Sequence, residues 1–67
     1  MIALHINGQP RSFDRALTCR ELIGTLELAG KRIAVERNGE IVPRSQFETC
    51  VLNDGDCLEI VVAVGGG

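Results

Sequence analysis

The sequence predicts a small α+β domain in which one main helix packs across one face of a mixed sheet of four to five strands. Two Asn-Gly pairs, which begin at Asn7 and Asn38, each separate strand-like segments and are typical of tight β-hairpins. One amphipathic helical segment lies between the two hairpins, and the most apolar segment of the chain comes last. Elements in this order indicate two layers, a sheet and a helix, around a single core.

Residues 1–14 are predicted to form the first hairpin. Apolar side chains alternate along its first strand at Ile2, Leu4 and Ile6, as expected for a strand with one buried face. Pro10 in the return strand cannot donate a ladder hydrogen bond, so we expect this strand at the edge of the sheet.

Residues 18–29 are predicted to form the helix. Thr18 and Glu21 have the spacing of a capping box, in which each side chain accepts a hydrogen bond from the backbone N–H of the other residue. An apolar stripe follows at helical spacing: Cys19, Leu22, Ile23 and Leu26. Gly30 is positioned to end the helix in the left-handed conformation.

The second hairpin is expected around Asn38, and a short irregular or single-turn helical stretch anchored by Phe47 follows it. The segment from 53 to 56 is rich in turn-forming residues. Residues 57–64 then form the last predicted strand, whose larger side chains share one face: Leu58, Ile60, Val62 and Val64. Because buried strands read as nearly continuous apolar runs, we expect this strand at the centre of the sheet, beside the first strand.

This arrangement of strands around one helix is the β-grasp pattern, here assigned to residues 1–64. The remaining residues, Gly65, Gly66 and Gly67, are expected to form a flexible tail. A tail without side chains can enter the narrow active site of a partner enzyme, where ATP can activate its terminal carboxylate for attack. The alternative interpretation is a disordered linker without a function of its own.

Composition and motifs exclude several classes of function. A net charge of −2, with two Phe and no Tyr or Trp, provides neither a basic stripe nor stacking aromatic residues, so nucleic-acid binding is not expected. The longest apolar run is too short to span a membrane and no signal peptide is recognised, so we expect a cytoplasmic protein. No nucleophile with a base and no acid–base pair is visible in 67 residues, which argues against an independent enzyme.

Metal and cofactor binding are not predicted either. Cys19, Cys50 and Cys57 lack the spacing of metal ligands, so we interpret them as reduced cysteines that act as small apolar residues. The single histidine, His5, is expected at the surface of the first strand. We therefore expect no bound metal and no bound cofactor, and a free chain that is monomeric.

Three further residues are candidates for contact with a partner protein. Val61 and Ala63 alternate with the larger side chains of the last strand, so they are predicted to form an exposed apolar strip beside the tail. Arg44 follows Pro43 and is a candidate for contact with acidic groups of a partner. The alternative for Arg44 is an ordinary solvated arginine in a loop.

Several stretches of the chain resemble the ThiS family, bacterial sulfur carriers with a ubiquitin-like β-grasp fold. They are MIALHINGQ at the start, ELI in the helix, NGEIVPRSQF, the turn NDGD and the terminal Gly-Gly. The resemblance covers essentially the whole chain. It implies that a ThiF-like enzyme uses ATP to adenylate Gly67, and that cysteine-derived sulfur replaces AMP to give a thiocarboxylate. It also implies that a ThiG-like thiazole synthase receives this sulfur for the thiazole of thiamin.

Other proteins share a glycine terminus, and their functions are alternatives for this chain. They are a small sulfur-carrier subunit for molybdopterin or tRNA thiolation, and a ubiquitin-like protein modifier. Gly65 is a third glycine where many members of the resembling family have two. If Gly67 were not the native terminus, the reactive carboxylate would belong to Gly66.

Overall fold

The computed structural model describes residues 1–63 of the chain. Within these residues it contains β1 (Ile2–Ile6), β2 (Gln9–Phe13), α1 (Cys19–Thr25), β3 (Ile33–Arg37), β4 (Glu40–Val42), a 3-10 helix (Arg44–Gln46) and β5 (Cys57–Val62). The predicted end of the domain at Val64 and the tail of Gly65, Gly66 and Gly67 lie outside the described residues and stay predictions.

The strands of the described region form one mixed sheet in the order β2-β1-β5-β3-β4. β5 lies in the middle, where it runs parallel to β1 on one side and antiparallel to β3 on the other. β2, which contains Pro10, is at one edge. The predicted fold class, the central position of the last strand and the edge position of the second strand are confirmed.

Both hairpins turn at their Asn-Gly pairs. The backbone φ angles are 52° at Asn7 and 83° at Gly8, and they are 51° at Asn38 and 87° at Gly39. Positive φ at both central positions defines a type I′ turn, which matches the right-handed twist of the flanking strands. The two predicted hairpins are confirmed.

The helix begins at the predicted capping box. The Thr18 hydroxyl accepts a hydrogen bond from the backbone N–H of Glu21 at 3.1 Å. The Glu21 carboxylate accepts one from the backbone N–H of Thr18 at 2.9 Å. The predicted stripe faces the core, with Cys19, Leu22 and Ile23 buried and Leu26 half-buried.

The predicted helix end at residue 29 is wrong, because α1 ends at Thr25. Glu27, with φ of 61°, takes the left-handed position that we predicted for Gly30. The N–H groups of Glu27 and Leu28 donate to the carbonyl oxygens of Gly24 and Ile23 at 3.0 and 2.9 Å, which is the Schellman arrangement. In a longer helix Leu28 would lie off the apolar stripe, whereas here it packs against the core. Gly30 instead occupies a separate turn, with φ of 83°.

The core lies between α1 and the covered face of the sheet. Its buried apolar residues come from strands, helix and loops: Leu4, Ile6, Leu17, Cys19, Leu22, Ile23, Val35, Phe47, Leu52, Leu58 and Ile60. The backbone N–H of Leu52 donates to the carbonyl oxygen of Leu17 at 2.9 Å, which fastens the loop before β5 to the start of the helix. Phe47 is 6% exposed, which confirms the predicted anchor.

Within residues 1–63 no helix is long and apolar enough to cross a membrane. The same residues hold no cluster of three or more His, Cys, Asp and Glu side chains suited to a metal ion.

Candidate functional site

The candidate site is the end of β5, the central strand, from which the chain continues to its C-terminal glycines. Val62 is the last residue of β5 and pairs with Ile33, the first residue of β3. The backbone N–H of Ala63 donates to the carbonyl oxygen of Arg32 at 2.8 Å, so one more contact holds the chain beyond the strand. We predicted that this strand extends past residue 62, whereas β5 ends at Val62 and Ala63 is already outside it, because β3 begins at Ile33 and offers no ladder partner beyond it.

The side chain of Asn7 fixes β5 just before this end. Its amide nitrogen donates to the carbonyl oxygen of Ile60 at 3.1 Å, and its amide oxygen accepts from the N–H of Ile60 at 2.8 Å. The registered pairing of β1 with β5 stops at Leu58, so the amide of Asn7 continues the hydrogen bonding where β1 has turned away. Asn7 therefore acts as a turn residue and as a clamp on the central strand.

Asn38 performs the same function at the start of β5. Its backbone N–H donates to the carbonyl oxygen of Cys57 at 2.8 Å, and its side-chain oxygen accepts from the N–H of Cys57 at 3.0 Å. Its side-chain nitrogen donates to the carboxylate of Asp56 at 3.1 Å. Each Asn-Gly turn thus holds one end of the strand that leads to the tail.

Asp56 is a buried charged residue that directly precedes β5, and it is 8% exposed. Nε and Nη2 of Arg37 both donate to Oδ2 of Asp56 at 2.8 Å, and the N–H of Asn53 donates to the same oxygen at 2.9 Å. Burial alone would raise the pKa of Asp56. The hydrogen bonds from Asn53, Asn38 and Arg37 outweigh burial, so the pKa lies below its usual value of 3.8.

We expect Asn7→Gly to lower the free energy of unfolding by about 2 kcal/mol, because it removes two hydrogen bonds of about 1 kcal/mol each. Glycine accepts positive φ, so the turn itself is retained. Denaturant unfolding measures the loss, and amide exchange of Ile60 reports the local effect. Asn53→Gly is the matched control, because the Asn53 side chain makes no hydrogen bond within residues 1–63. Equal losses in the two variants would contradict the clamp.

The two faces of β5 differ in exposure as predicted. Leu58 and Ile60 are buried under the helix side, whereas Val61 on the opposite face is 61% exposed. Val62 is more exposed than predicted, at 37%, because it lies at the last position of the strand. Val61 is paired with Ala34 of β3, which is also exposed.

Acidic residues lie beside this apolar strip on the outer face of the sheet. Glu36 of β3 is directly opposite Glu59 of β5, and Ile41 of β4 pairs with Glu36 from the other side. Ile41 is 71% exposed. Like charges directly opposite each other are unfavourable in an isolated sheet. The outer face therefore combines exposed apolar groups with acidic ones.

A comparison with protein families decides where this chain belongs. The model of the ThiS family matches residues 4–67, which is nearly the whole chain and includes the C-terminal glycines. The chain belongs to the ThiS family. The resemblance predicted from the sequence motifs is confirmed.

Individual relatives agree with this assignment to the ThiS family. The sulfur carrier protein ThiS of Bacillus subtilis is 35% identical over 65 residues, which cover 96% of this chain and 98% of that protein. A crystal structure of the thiamine biosynthesis protein ThiS from Geobacter metallireducens superimposes with a TM-score of 0.84 at 35% identity. The superposition covers 98% of this chain and 100% of the chain in that crystal structure. The ubiquitin-like β-grasp fold of the family is thus also the fold of this chain.

A thiazole synthase of Paramagnetospirillum magneticum is 48% identical over 64 residues, or 96% of this chain. This ThiS family chain spans only 20% of the length of that relative. The similarity therefore covers one region of a longer protein.

The structure separates the predicted contact residues of this ThiS family chain. Val61 and Ala63 are both exposed at the end of β5. Arg44 lies at the other side of the sheet, in a groove that it shares with Gly24 and Phe47. Its Nη2 donates to the carbonyl oxygen of Lys31 at 3.4 Å. Gly65, Gly66 and Gly67 lie outside the described residues, so their predicted roles stay predictions.

The three cysteines lie in different environments. Burial raises the pKa of the Cys19 thiol to about 12, and the neighbouring Cys50 adds to this effect, so Cys19 is protonated at neutral pH. Cys50 Sγ accepts a hydrogen bond from Nη1 of Arg37 at 3.5 Å. Cys57 is exposed, and no disulfide joins the three cysteines, all of which lie in the described region.

Proposed function

We propose that this chain is a sulfur carrier of thiamin biosynthesis in which the carboxylate of Gly67 becomes a thiocarboxylate. A ThiF-like enzyme adenylates the carboxylate with ATP, and a ThiG-like thiazole synthase receives the sulfur. The observation that carries the proposal is the family match, which runs from residue 4 through the glycines to residue 67. The chain itself is a co-substrate of these enzymes and performs no catalysis.

The proposed chemistry balances with ATP and a sulfur nucleophile alone. A carboxylate oxygen of Gly67 attacks the α-phosphorus of ATP, and pyrophosphate leaves. Hydrosulfide then attacks the carbonyl carbon, so that a C–S bond forms, the C–O bond to AMP breaks and the thioacid loses a proton. No oxidation or reduction is needed when hydrosulfide is the sulfur source. In the cell we propose that this sulfur is derived from cysteine.

The fold suits delivery of a terminus to another enzyme. β5 is held by strands on both sides and by the side chains of Asn7 and Asn38 at its two ends. Ala63 is tied to Arg32, and four residues beyond it can extend at most about 14 Å. The terminus can therefore move only a short distance from the end of β5. Because glycine has no side chain, such a segment can enter a narrow active site.

Two relatives support a thiazole synthase as the acceptor. The thiazole synthases of Paramagnetospirillum magneticum and Magnetococcus marinus each contain a region similar to 96% of this chain. Fusion of two domains in one protein keeps them at a high effective concentration, which favours a transfer between them. We propose that this chain meets a separate thiazole synthase for the same transfer.

The test is incubation of the chain with a ThiF-like enzyme, ATP and sulfide. We expect the intact mass to rise by the difference between one sulfur and one oxygen atom, with the added sulfur in the C-terminal fragment. The chain and ATP without the enzyme are the control and should give no change. An isopeptide bond to lysines with no detectable thiocarboxylate would favour the protein-modifier alternative and overturn the proposal.

Val61→Asp is expected to weaken binding to the ThiF-like enzyme by about tenfold or more, because a charge enters the centre of the proposed apolar contact. Calorimetry or surface binding measures the affinity. Val51→Asp is the matched control, since Val51 is 49% exposed but lies in the loop paired with Thr18. If a folded Val61→Asp variant binds with unchanged affinity, the exposed apolar strip does not contact the ThiF-like enzyme.

A further inference from the structure

A groove on the helix side of the molecule is separate from the strip on the outer face. It has a volume of about 450 Å³ and opens to solvent between α1, the loop after it and the 3-10 helix. Apolar side chains form its floor: Ile23, Leu28, Ile33 and Phe47. Leu28 and Ile33 are half-buried and Ile23 and Phe47 are buried, so the floor is continuous with the core.

Gly24 forms part of the wall of this groove. A glycine inside a helix costs about 1 kcal/mol relative to alanine, and α1 has only seven residues. A Cβ atom at Gly24 would meet no heavy atom within 4 Å, and its φ is not positive. Neither the packing nor the backbone of the fold therefore requires glycine here. Gly24 leaves this part of the groove wall without a side chain.

The rim of the groove is basic, although the whole chain has a net charge of −2. Arg20, Lys31 and Arg44 line it, and no acidic side chain of the described residues does so. The nearest acidic partner is Glu48, whose carboxylate lies 3.5 Å from Nε of Arg20, with both side chains largely exposed. Lys31 makes no side-chain hydrogen bond or ion pair within residues 1–63. The rim therefore retains positive charge for an external ligand.

We propose that this groove binds an acidic segment of a partner protein that inserts a bulky apolar side chain. Carboxylates of the segment complement the three cations, and the apolar side chain covers the floor and excludes water from it. A nucleic acid is a poorer match, because Phe47 is 6% exposed and presents no free face for stacking. The outer face carries Glu36 and Glu59 instead, so the two surfaces of the chain differ in the charges that they present.

The probe is a fluorescent peptide, acetyl-Asp-Glu-Leu-Phe-Asp-Glu-amide, titrated with the full chain. We expect micromolar binding, with amide shift changes centred on Gly24, Leu28 and Phe47. Two control peptides separate the contributions: one replaces the acids by Asn and Gln, and the other replaces Leu-Phe by Gly-Gly. Both are expected to bind about tenfold more weakly or worse. Equal binding of the Gly-Gly peptide would mean unspecific charge attraction and would overturn the proposal.

Variants locate the site. Lys31→Glu with Arg44→Glu is expected to weaken binding at least about tenfold, whereas Arg11→Glu on the edge strand β2 changes charge in the same direction and should have an effect of less than about twofold. Gly24→Leu fills the groove and should also abolish binding. Unchanged peptide binding by a folded Gly24→Leu variant would overturn the proposal, and Gly24→Ala, which adds one methyl group, is its control for stability.

The alternative occupant is the C-terminal segment of the chain itself, whose carboxylate would meet the same cations. A shortened chain that ends at Ala63 distinguishes this occupant from a segment of a partner protein. Peptide affinity within about twofold of the full chain supports the partner segment, and an increase of about tenfold or more would assign the groove to the segment after Ala63 and overturn the proposal. None of these measurements depends on thiocarboxylate formation, so they remain valid if the proposed function fails.

Discussion

Deletion of Gly66 and Gly67 is expected to reduce thiocarboxylate formation to the background of the assay. The deletion removes the carboxylate that is proposed to react and shortens the segment beyond Ala63, so the new terminus cannot reach as far into the activating enzyme. The apolar residues buried in the described core lie between Leu4 and Ile60. The free energy of unfolding should therefore change by less than about 0.5 kcal/mol.

Mass spectrometry after incubation with the ThiF-like enzyme, ATP and sulfide measures the first effect, and denaturant unfolding measures the second. Gly66→Val is the matched control for shape, because it keeps the length and the terminal carboxylate but adds a branched side chain. A strong loss in Gly66→Val as well would indicate a narrow channel in the enzyme. If the shortened chain still accepts sulfur at its terminus, the glycines are a linker and the proposed function is wrong.

Replacement of Asp56 by alanine is expected to lower the free energy of unfolding by about 2 to 3 kcal/mol. Removal of one partner from a buried ion pair costs about 3 to 5 kcal/mol, and we reduce this figure because the Arg37 side chain is 26% exposed. A domain of this length has a total of about 3 to 10 kcal/mol. Asp56→Ala should therefore leave a substantial unfolded fraction at moderate temperature, which thermal unfolding followed by circular dichroism measures.

The same residue gives the stability a defined pH dependence. Because the pKa of Asp56 is lower in the folded chain, its stabilisation is fully present above the usual value of 3.8 and is lost as the pH falls through the folded value. We expect the free energy of unfolding to decrease below about pH 4, and Asp56→Asn to weaken this decrease. The pKa of Glu21 is also lowered, chiefly by the hydrogen bond with the Thr18 backbone, so some acid sensitivity remains.

Asp14→Asn is the control for this titration, because the Asp14 side chain makes no hydrogen bond or ion pair within residues 1–63. It removes one carboxylate without removing a native contact. Its unfolding should follow the same pH curve as the original chain. If Asp56→Asn has that curve too, the network around Asp56 does not determine the acid sensitivity.

Much of the fold was predictable because short-range chemistry specifies it. The Asn-Gly pairs at Asn7 and Asn38 favour type I′ turns in any context, and Thr18 with Glu21 forms a capping box from residues three apart. The apolar run in β5 indicated burial, and the outward position of Val61 followed from the alternation of side chains along a strand. The family resemblance rested on the same local motifs and was confirmed.

Other features depend on residues that are distant in the sequence. The clamp of Asn7 on Ile60 joins positions 53 residues apart, and the buried carboxylate of Asp56 was interpreted only as part of a turn. The helix ends early because Leu28 packs against a core that the helical period alone does not reveal. Arg44 was predicted only as a candidate for contact with acidic groups of a partner, and its position in the groove on the helix side came from the structure.

The sequence by itself determined the two hairpin turns, the start of the helix, the order of the elements and the family, because turns, caps and alternation depend on neighbours within a few residues. Only the tertiary structure decided which side chains meet. Asp56 binds Arg37, and Asn7 is hydrogen-bonded to Ile60. Three cations that are separated in the sequence surround one apolar groove. These contacts form because the folded sheet and its loops bring distant residues within hydrogen-bond or packing distance. Such contacts depend on burial and geometry in three dimensions, which no short stretch of sequence contains.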